Sequence, residues 1–234
     1  MTKRMWLTGP FVSVGLLILV LVGSPPSMPL SLWGGAAIEL ALAEQARYGG
    51  IEKTPEMQRA DTALKASVAA QGLTLVQGAE AAFQKGLEAL NTADYGLAMR
   101  CFNQGWVLNP NNARVYSGFG IVAFVRDNDF TAAQAHFEQA RALEPRDLGI
   151  KISYARVLEE SNHTYEAIAL YEEVLAEDPT IPLVYVGLIR AYGKADNIER
   201  SLYFAREGRR RGAQITDIFI ERMEQLQAIR SANG

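Results

Sequence analysis

The chain has 234 residues, enough for one sizeable globular domain with appendages or for two small domains. Hydrophobic residues make up 49% and charged residues 21% of the sequence, so the chain can form a core and is not disordered as a whole. The formal net charge of −3 argues against nucleic acid as a partner, and one cysteine with two histidines argues against a metal site or a metal cofactor.

The N-terminal region differs from the rest of the chain in charge. Residues 1–38 contain no Asp or Glu, and their only cations, Lys3 and Arg4, precede the apolar stretch 11–22. This order is typical of a secretory signal, and the apolar stretch also approaches the length of a membrane span. Residues 1–23 are predicted to be a signal peptide or an uncleaved inner-membrane anchor, with a buried core helix as the alternative. The positive-inside rule then places the chain after residue 44 in the periplasm.

A linker and a short helix are predicted next. Residues 24–53 begin with a passage rich in Pro, Gly and Ser and are predicted to be a linker. The one good small-x-small cleavage signal, Ala41-Leu42-Ala43, lies in this linker, too far beyond the apolar stretch for an ordinary signal peptide. Residues 54–78 are predicted to be an N-terminal helix and its connection. Thr54-Pro55 is a typical helix start. The apolar residues of this helix recur at helical spacing: Met57, Ala60, Leu64 and Val68.

An alanine, an aromatic residue and a proline recur at fixed spacing from residue 98 onward. The prolines of successive copies are 35 and 34 residues apart. The three copies are Ala98-x3-Phe102-x7-Pro110, Ala133-x3-Phe137-x7-Pro145 and Ala167-x3-Tyr171-x7-Pro179, and a degenerate fourth is Ser201-x3-Ala205-x7-Ala213. A turn-forming segment precedes each alanine, so each copy is expected to be the second of two helices.

This pattern resembles the tetratricopeptide repeat (TPR) family, in particular its bacterial exported or membrane-anchored members. The resemblance implies an all-α fold, an α-solenoid of three to four helix pairs with flanking capping helices. The expected units are 79–113, 114–147, 148–181 and 182–215. Small alanines let the paired helices approach, the aromatic rings fill the space between neighbouring units, and the prolines end the second helices.

A C-terminal capping helix is predicted over residues 216–234. Thr216 is a suitable N-cap, and stacked repeats require a cap over the apolar side of the last unit. The side chains expected to face inward are Ile218, Phe219, Met223, Leu226 and Ile229.

No motif for catalysis, phosphate binding or cofactor binding is found in the sequence, so no catalytic residue and no cofactor are predicted. Cys101 and His136 stand at equivalent places beside the repeat aromatics and are interpreted as packing residues. The basic cluster Arg206, Arg209, Arg210 and Arg211 closes the last second helix. It either complements the helix dipole or binds an anionic partner or lipid.

The first helices of such repeats line a concave groove, and residues in one register form a row along it. One row is expected to contain Leu87, Ile121, Arg156 and Arg190, flanked by Phe83 on one side and Lys194 on the other. The groove is therefore predicted to be apolar towards its N-terminal end and to pair two arginines with a carboxylate of a bound segment. The alternative is that both arginines pair with Glu159, Glu160 or other acids of the chain itself.

These observations predict a non-catalytic protein-protein interaction module, a scaffold or assembly factor, on the periplasmic side of the inner membrane. The partner is expected to be a protein or peptide bound in the groove, with contact to the inner membrane if residues 1–23 are retained. The alternative is a permanent structural or accessory subunit of a membrane protein complex. No residue constellation supports an enzyme.

Overall fold

The computed structural model describes residues 41–233 of the chain. The predicted signal peptide or anchor, residues 1–23, and the first part of the predicted linker lie outside this range. Among the helices that are described, none has both the length and the apolar character needed to cross a bilayer. Residues 41–233 fold into helices and turns with no β-strand, which confirms the all-α class for this part of the chain.

Ten α-helices lie in the described range, preceded by a short turn over Ala46–Gly50 in which Arg47 and Tyr48 have positive φ. The helices are α1 (Pro55–Ala70), α2 (Leu75–Asn91), α3 (Tyr95–Leu108), α4 (Ala113–Val125), α5 (Phe130–Leu143), α6 (Leu148–Glu160), α7 (Thr164–Glu177), α8 (Pro182–Lys194), α9 (Ile198–Arg210) and α10 (Asp217–Asn233).

The chain divides into two compact units, Met1–Leu143 and Glu144–Gly234. In unit 1, α2 pairs with α3 and α4 with α5; in unit 2, α6 pairs with α7 and α8 with α9. The described residues thus contain four helix pairs, which decides between the expected three and four. The first pair begins at Leu75 rather than at 79, because Thr74 and Gln77 form a capping box that fixes the helix start.

The turn within each helix pair uses the same backbone conformation. Ala93, Asn128, Asn162 and Asp196 occupy the same place in the four turns, and all have φ between 53° and 64°, in the left-handed region. In three of the pairs the next residue is the N-cap: the side chains of Asp94, Asp129 and Asn197 each accept a backbone N–H of the following helix. The predicted turns are confirmed, and their spacing fixes the repeat length.

The aromatic position of the repeat packs on glycines of the first helices. The Phe102 ring of α3 lies against Gly86 in its own pair and Gly118 in the next pair, and the Tyr171 ring of α7 lies against Gly187 of α8. A Cβ placed on Gly86 would be 2.2 Å from Cε1 of Phe102. Inside each unit these rings therefore fill the space between neighbouring helix pairs, as expected.

The other repeat positions also take their predicted places. Ala98, Ala133 and Ala167 are fully buried, and so is the Phe137 ring. Each proline stands two residues beyond the end of a second helix, which cannot continue through it. These prolines are Pro110 after α3, Pro145 after α5 and Pro179 after α7.

The described end of the predicted linker packs on unit 1. Residues 43–53 lie against α3, where Glu44 forms a salt bridge with Arg100. Further along, the Lys53 ammonium pairs with Asp61 of α1. A linker is not expected to make such contacts, so the linker prediction is corrected for these residues. The side chains of Glu44 and Lys53 bind specific partners on α3 and α1.

Helix α1 begins and packs much as predicted. Thr54 Oγ1 accepts the N–H of Met57 at 3.2 Å, as an N-cap should. Near the other end of the helix, Val68 is buried in a small cluster with Ala79 and Leu108. The predicted apolar stripe is thus used mainly at the C-terminal end of α1, since Ala60 is exposed.

Helix α10 presents a different face from the one predicted. Thr216 accepts the N–H of Phe219, so the predicted N-cap is confirmed. The buried residue is Ile220, whereas Met223 is half-buried. The remaining residues of the predicted inward set are exposed: Ile218, Phe219, Leu226 and Ile229. That part of the prediction is wrong, because apolar residues lie all around this helix and do not define a single face.

Candidate functional site

The predicted groove residues of unit 1 belong largely to its core. Phe83 of α2 and Ile121 of α4 are buried, and the Phe83 ring packs 5.9 Å, centre to centre, from the Phe102 ring. Leu87, one turn beyond Phe83, is half-buried. The expectation that Phe83 and Ile121 offer apolar contact to a partner is corrected in this respect, because packing against the second helices consumes their surface.

In unit 2 the predicted arginines are bound by acids of the chain itself. Arg156 of α6 donates from Nε to Glu160 Oε1 at 3.1 Å, one turn further along the same helix. Arg190 of α8 donates to both carboxylate oxygens of Glu159 on α6, with Nη2 at 2.8 Å from Oε2. This is the alternative that the sequence left open, and the two arginines do not form a vacant pair.

Glu159 is the centre of this charged cluster. Its side chain is 3% exposed, and it lies between two cations of α8. Besides the fork with Arg190, the Lys194 ammonium donates to the Glu159 carbonyl at 2.6 Å and lies 3.5 Å from Oε1. A buried carboxylate is stable only with such partners, so Glu159, Arg190 and Lys194 act as one unit that joins α6 to α8.

The protonation of the cluster follows from these contacts. The hydrogen bond from Arg190 to Glu159 raises the pKa of the guanidinium, so Arg190 stays charged at every physiological pH. Tyr171 of α7 is buried near Glu159. Its burial raises the pKa of its hydroxyl, and the negative charge of Glu159 raises it further by a smaller amount. Arg190 and Lys194 remain 45% and 39% exposed, so each still presents a cationic surface to solvent.

The basic cluster at the end of α9 is neutralised by acidic residues of unit 2. Arg206 pairs with Glu224 and Arg209 with Asp217, both on α10. Arg210 and Arg211 both pair with Glu207, one turn back on α9. A shallow depression of about 580 Å³ is lined by three of these arginines and by Ile220. The cluster thus serves to hold α10 and the end of α9.

Cys101 and His136 are packing residues, as interpreted from the sequence. Cys101 is buried on α3, and its burial raises the pKa of the thiol. The His136 ring packs 5.5 Å from the Phe119 ring, and its burial lowers its pKa to about 4, so it is neutral at physiological pH. Within residues 41–233 no group of three or more His, Cys, Asp or Glu side chains is arranged to hold a metal ion.

Two contact sites were not identified from the sequence. Lys151 of α6 is buried, and it forms salt bridges with Glu177 and Glu173 of α7. Asn103 of α3 is buried as well and binds the backbone of residues 43–47. The sequence does show that Asn103 is a polar residue directly after the repeat aromatic Phe102, and that Lys151 lies in the first turn of a largely apolar helix. The sequence does not indicate which residues either side chain contacts.

Comparison with known proteins gives similarity of fold. No protein-family model matches the sequence, and no curated protein matches it. The solved structure of Pseudomonas aeruginosa PilF matches with a TM-score of 0.54 and 17% identity, over 58% of this chain and 62% of that chain. The match therefore spans less than two thirds of PilF.

A second solved structure, that of PilW, matches over 83% of this chain and 93% of that chain, with a TM-score of 0.55 and 16% identity. PilW is described as a widely conserved type IV pilus biogenesis factor. At these identities the likeness concerns the fold. The resemblance to the TPR family is confirmed at that level, by the helix pairs and by these neighbours.

Proposed function

We propose that the chain is a non-catalytic protein-protein interaction module, a scaffold or assembly factor, on the periplasmic side of the bacterial inner membrane. The observation that carries this proposal is the set of TPR-type helix pairs, in which the first helix α8 of unit 2 presents Arg190 and Lys194 to solvent. The fold neighbour PilW is a pilus biogenesis factor, and an assembly role for this chain is in line with that. The order of cations and apolar residues in 1–23 supports the location.

The proposed partner surface lies on α6 and α8. Two cations of α8, Arg190 and Lys194, share the one buried carboxylate of Glu159, which gives an excess of one positive charge there. A segment that brings one carboxylate to Arg190 and Lys194 balances that charge and gains charge-assisted hydrogen bonds. The proposed ligand is accordingly a peptide or helix with at least one exposed acidic residue.

The experiment is affinity purification of the tagged intact protein from native membranes, followed by mass spectrometry. The test variant is Lys194→Gln, because Glu159 retains its fork with Arg190 and the fold is preserved. The matched control is Lys65→Gln, which removes an exposed lysine from α1. We expect the wild type and the control to recover the same partner, and Lys194→Gln to recover several-fold less. Equal recovery by all three would place the partner on another surface.

A second candidate is a permanent subunit of a membrane protein complex. The exposed apolar side chains of α10, among them Ile218, Leu226 and Ile229, favour it, since permanent interfaces are more hydrophobic than transient ones. Native electrophoresis of detergent extracts separates the two candidates. Comigration with one complex at constant ratio indicates the subunit, and a large free pool of the chain indicates the assembly factor.

A further inference from the structure

A segment that precedes the repeats is held by one side-chain amide of α3. Asn103 is 0% exposed, and its Nδ2 donates to the carbonyls of Ala43 and Gln45, both at 2.8 Å. Its Oδ1 accepts the N–H of Arg47 at 2.7 Å. All three hydrogen bonds go to backbone groups of residues 43–47, so the Asn103 amide recognises the backbone conformation of this segment and not a particular side chain.

Two arginines complete this site. Arg126, at the C-terminal end of α4, donates from Nη1 to the carbonyl of Glu44 at 2.8 Å. Arg100, one turn before Asn103 on α3, pairs with the Glu44 carboxylate. The backbone of residues 43–47 is therefore bound at four points, and one acidic side chain is recognised by an arginine.

The distal part of the segment makes an aromatic contact. The Lys53 ammonium lies 4.8 Å from the ring centre of Tyr48 and 5.0 Å from that of Trp106 on α3. A lysine between two rings is stabilised by cation–π attraction. Residues 43–53 thus contact α3 at both its Asn103 and its Trp106 positions.

The repeat itself does not call for an amide at this place. Counting by the repeat period, Asn103 corresponds to Glu138 in α5 and Glu172 in α7, each directly after the repeat aromatic. Glu138 is exposed and Glu172 half-buried, so this position normally faces solvent. Asn103 is buried because residues 43–47 cover it, and its three bonds serve that segment.

We propose that α3 and the C-terminal end of α4 form a peptide-binding site, separate from the surface on α6 and α8, and that residues 43–53 are its ligand, tethered in cis. The site takes a segment that turns at residues 46–50, with a carboxylate at position 44 and a tyrosine four residues later. A tether of this kind supplies an effective ligand concentration on the order of millimolar, so the attached segment excludes free peptides of ordinary affinity.

The test vacates the site in the full-length protein, kept in detergent micelles, and adds the ligand back. The double variant Glu44→Arg/Tyr48→Ala releases the segment, because it sets a cation against Arg100 and removes the ring that contacts Lys53. The probe is a fluorescein-labelled peptide of residues 41–53, followed by anisotropy. We expect saturable binding to the released variant and binding at least tenfold weaker to the wild type.

The site is then removed within the released variant. Adding Asn103→Ala should weaken binding of the probe at least tenfold. Arg126→Gln, at the half-buried C-terminal end of α4, removes the donor to the Glu44 carbonyl and should also weaken binding, without changing the packing of α3. Asn91→Ala, at the exposed end of α2, is the matched control and should leave binding unchanged. Absence of binding to the released variant, or equal binding with and without Asn103, overturns the proposal.

Hydrogen exchange tests the cis arrangement without any added peptide. The Arg47 amide should be protected in the wild type and in Asn91→Ala, and it should exchange at the rate of an open chain in Asn103→Ala. Protection that persists on dilution supports a ligand in the same chain. Protection that is lost on dilution shows that the segment binds a second copy, and an unprotected Arg47 amide in the wild type shows that it is not bound; either result overturns the proposal.

Discussion

Helices α4 and α6 hold the same place in their helix pairs and bury different chemistry. In α4 every residue from Val115 to Phe124 is buried, and none of them is charged. In α6 the buried residues include Lys151 and Glu159. The backbone arrangement of the pair is nevertheless the same, with a first helix, a left-handed turn and a second helix.

The difference shows that the helix pair requires its interior positions to be filled and partnered, whether or not they are apolar. Lys151 is balanced by Glu177 on the second helix of its own pair, and Glu159 by Arg190 on the next first helix. Each buried charge therefore has its counter-ion within unit 2. We therefore predict that removing the counter-ion of a buried charge in unit 2 strongly lowers the free energy of unfolding. No such substitution exists for the buried stretch of α4, since it contains no charged residue.

The largest effect is expected from Glu159→Ala. The substitution leaves Arg190 and Lys194 beside each other without their carboxylate, and we expect the free energy of unfolding to fall by about 3 kcal/mol, the lower end for a buried pair, since both cations are partly hydrated. Urea denaturation followed by circular dichroism measures it. The control Glu138→Ala, on the exposed face of α5, should change stability by less than about 0.5 kcal/mol.

If Glu159→Ala and Glu138→Ala lowered the free energy of unfolding equally, the buried carboxylate of α6 would contribute no more to stability than a solvent-exposed one. For the same reason we expect Arg190→Glu to destabilise the fold, because a glutamate at position 190 would face the buried carboxylate of Glu159.

A smaller effect, common to both units, is expected where rings rest on glycine. Gly86→Ala in unit 1 and Gly187→Ala in unit 2 each drive a methyl group into an aromatic ring, and we expect a loss of about 2 kcal/mol in either case. In α8, Gly193 has no atom within 4 Å of an added Cβ, so Gly193→Ala should instead stabilise by about 0.5 kcal/mol. Thermal unfolding of the three variants tests whether the units share this packing rule.

A further effect, about half the loss expected for Gly86→Ala, concerns the turns. Unit 1 places Ala93 at the left-handed position where unit 2 has Asn162, and alanine is strained there. Ala93→Asn should stabilise by about 1 kcal/mol, and Asn162→Ala should destabilise by a similar amount. Opposite shifts of the melting temperature are the expected signature. Shifts of the same sign would mean that the left-handed turn conformation does not determine whether alanine or asparagine is the more stable residue at this position.

The repeat architecture was predictable because its signals are local. The spacing from Ala98 to Phe102 to Pro110 places a small residue, a ring and a helix end at fixed offsets, and each offset acts within one helix or one turn. The residues at the tight turns, such as Asn128 and Asn162, favour the left-handed conformation by themselves. Local preferences and the fold agree here, so a count by period locates all four pairs.

The contacts that the sequence did not specify join residues far apart in the chain. Asn103 binds the carbonyl of Ala43, 60 residues earlier, and no periodicity connects the two. The prediction of the inward face of α10 was wrong for another reason. Its apolar residues are spread around the helix, so Ile220 and Ile218 are equally good choices from the pattern, and only contact with α9 selects Ile220.

Helix α10 is attached to the rest of unit 2 by the buried Ile220 and the half-buried Met223 and also by ion pairs at its surface, and the ion pairs are sensitive to ionic strength. The pairs are Arg206–Glu224, Arg209–Asp217 and Arg230–Asp196, all with partly exposed partners. In 1 M salt the screening length shrinks to about 3 Å, and these attractions fade while the packing of Ile220 and Met223 remains. We therefore expect a high-salt wash, applied to strip peripheral proteins from a membrane, to weaken the attachment of the C-terminal helix as well.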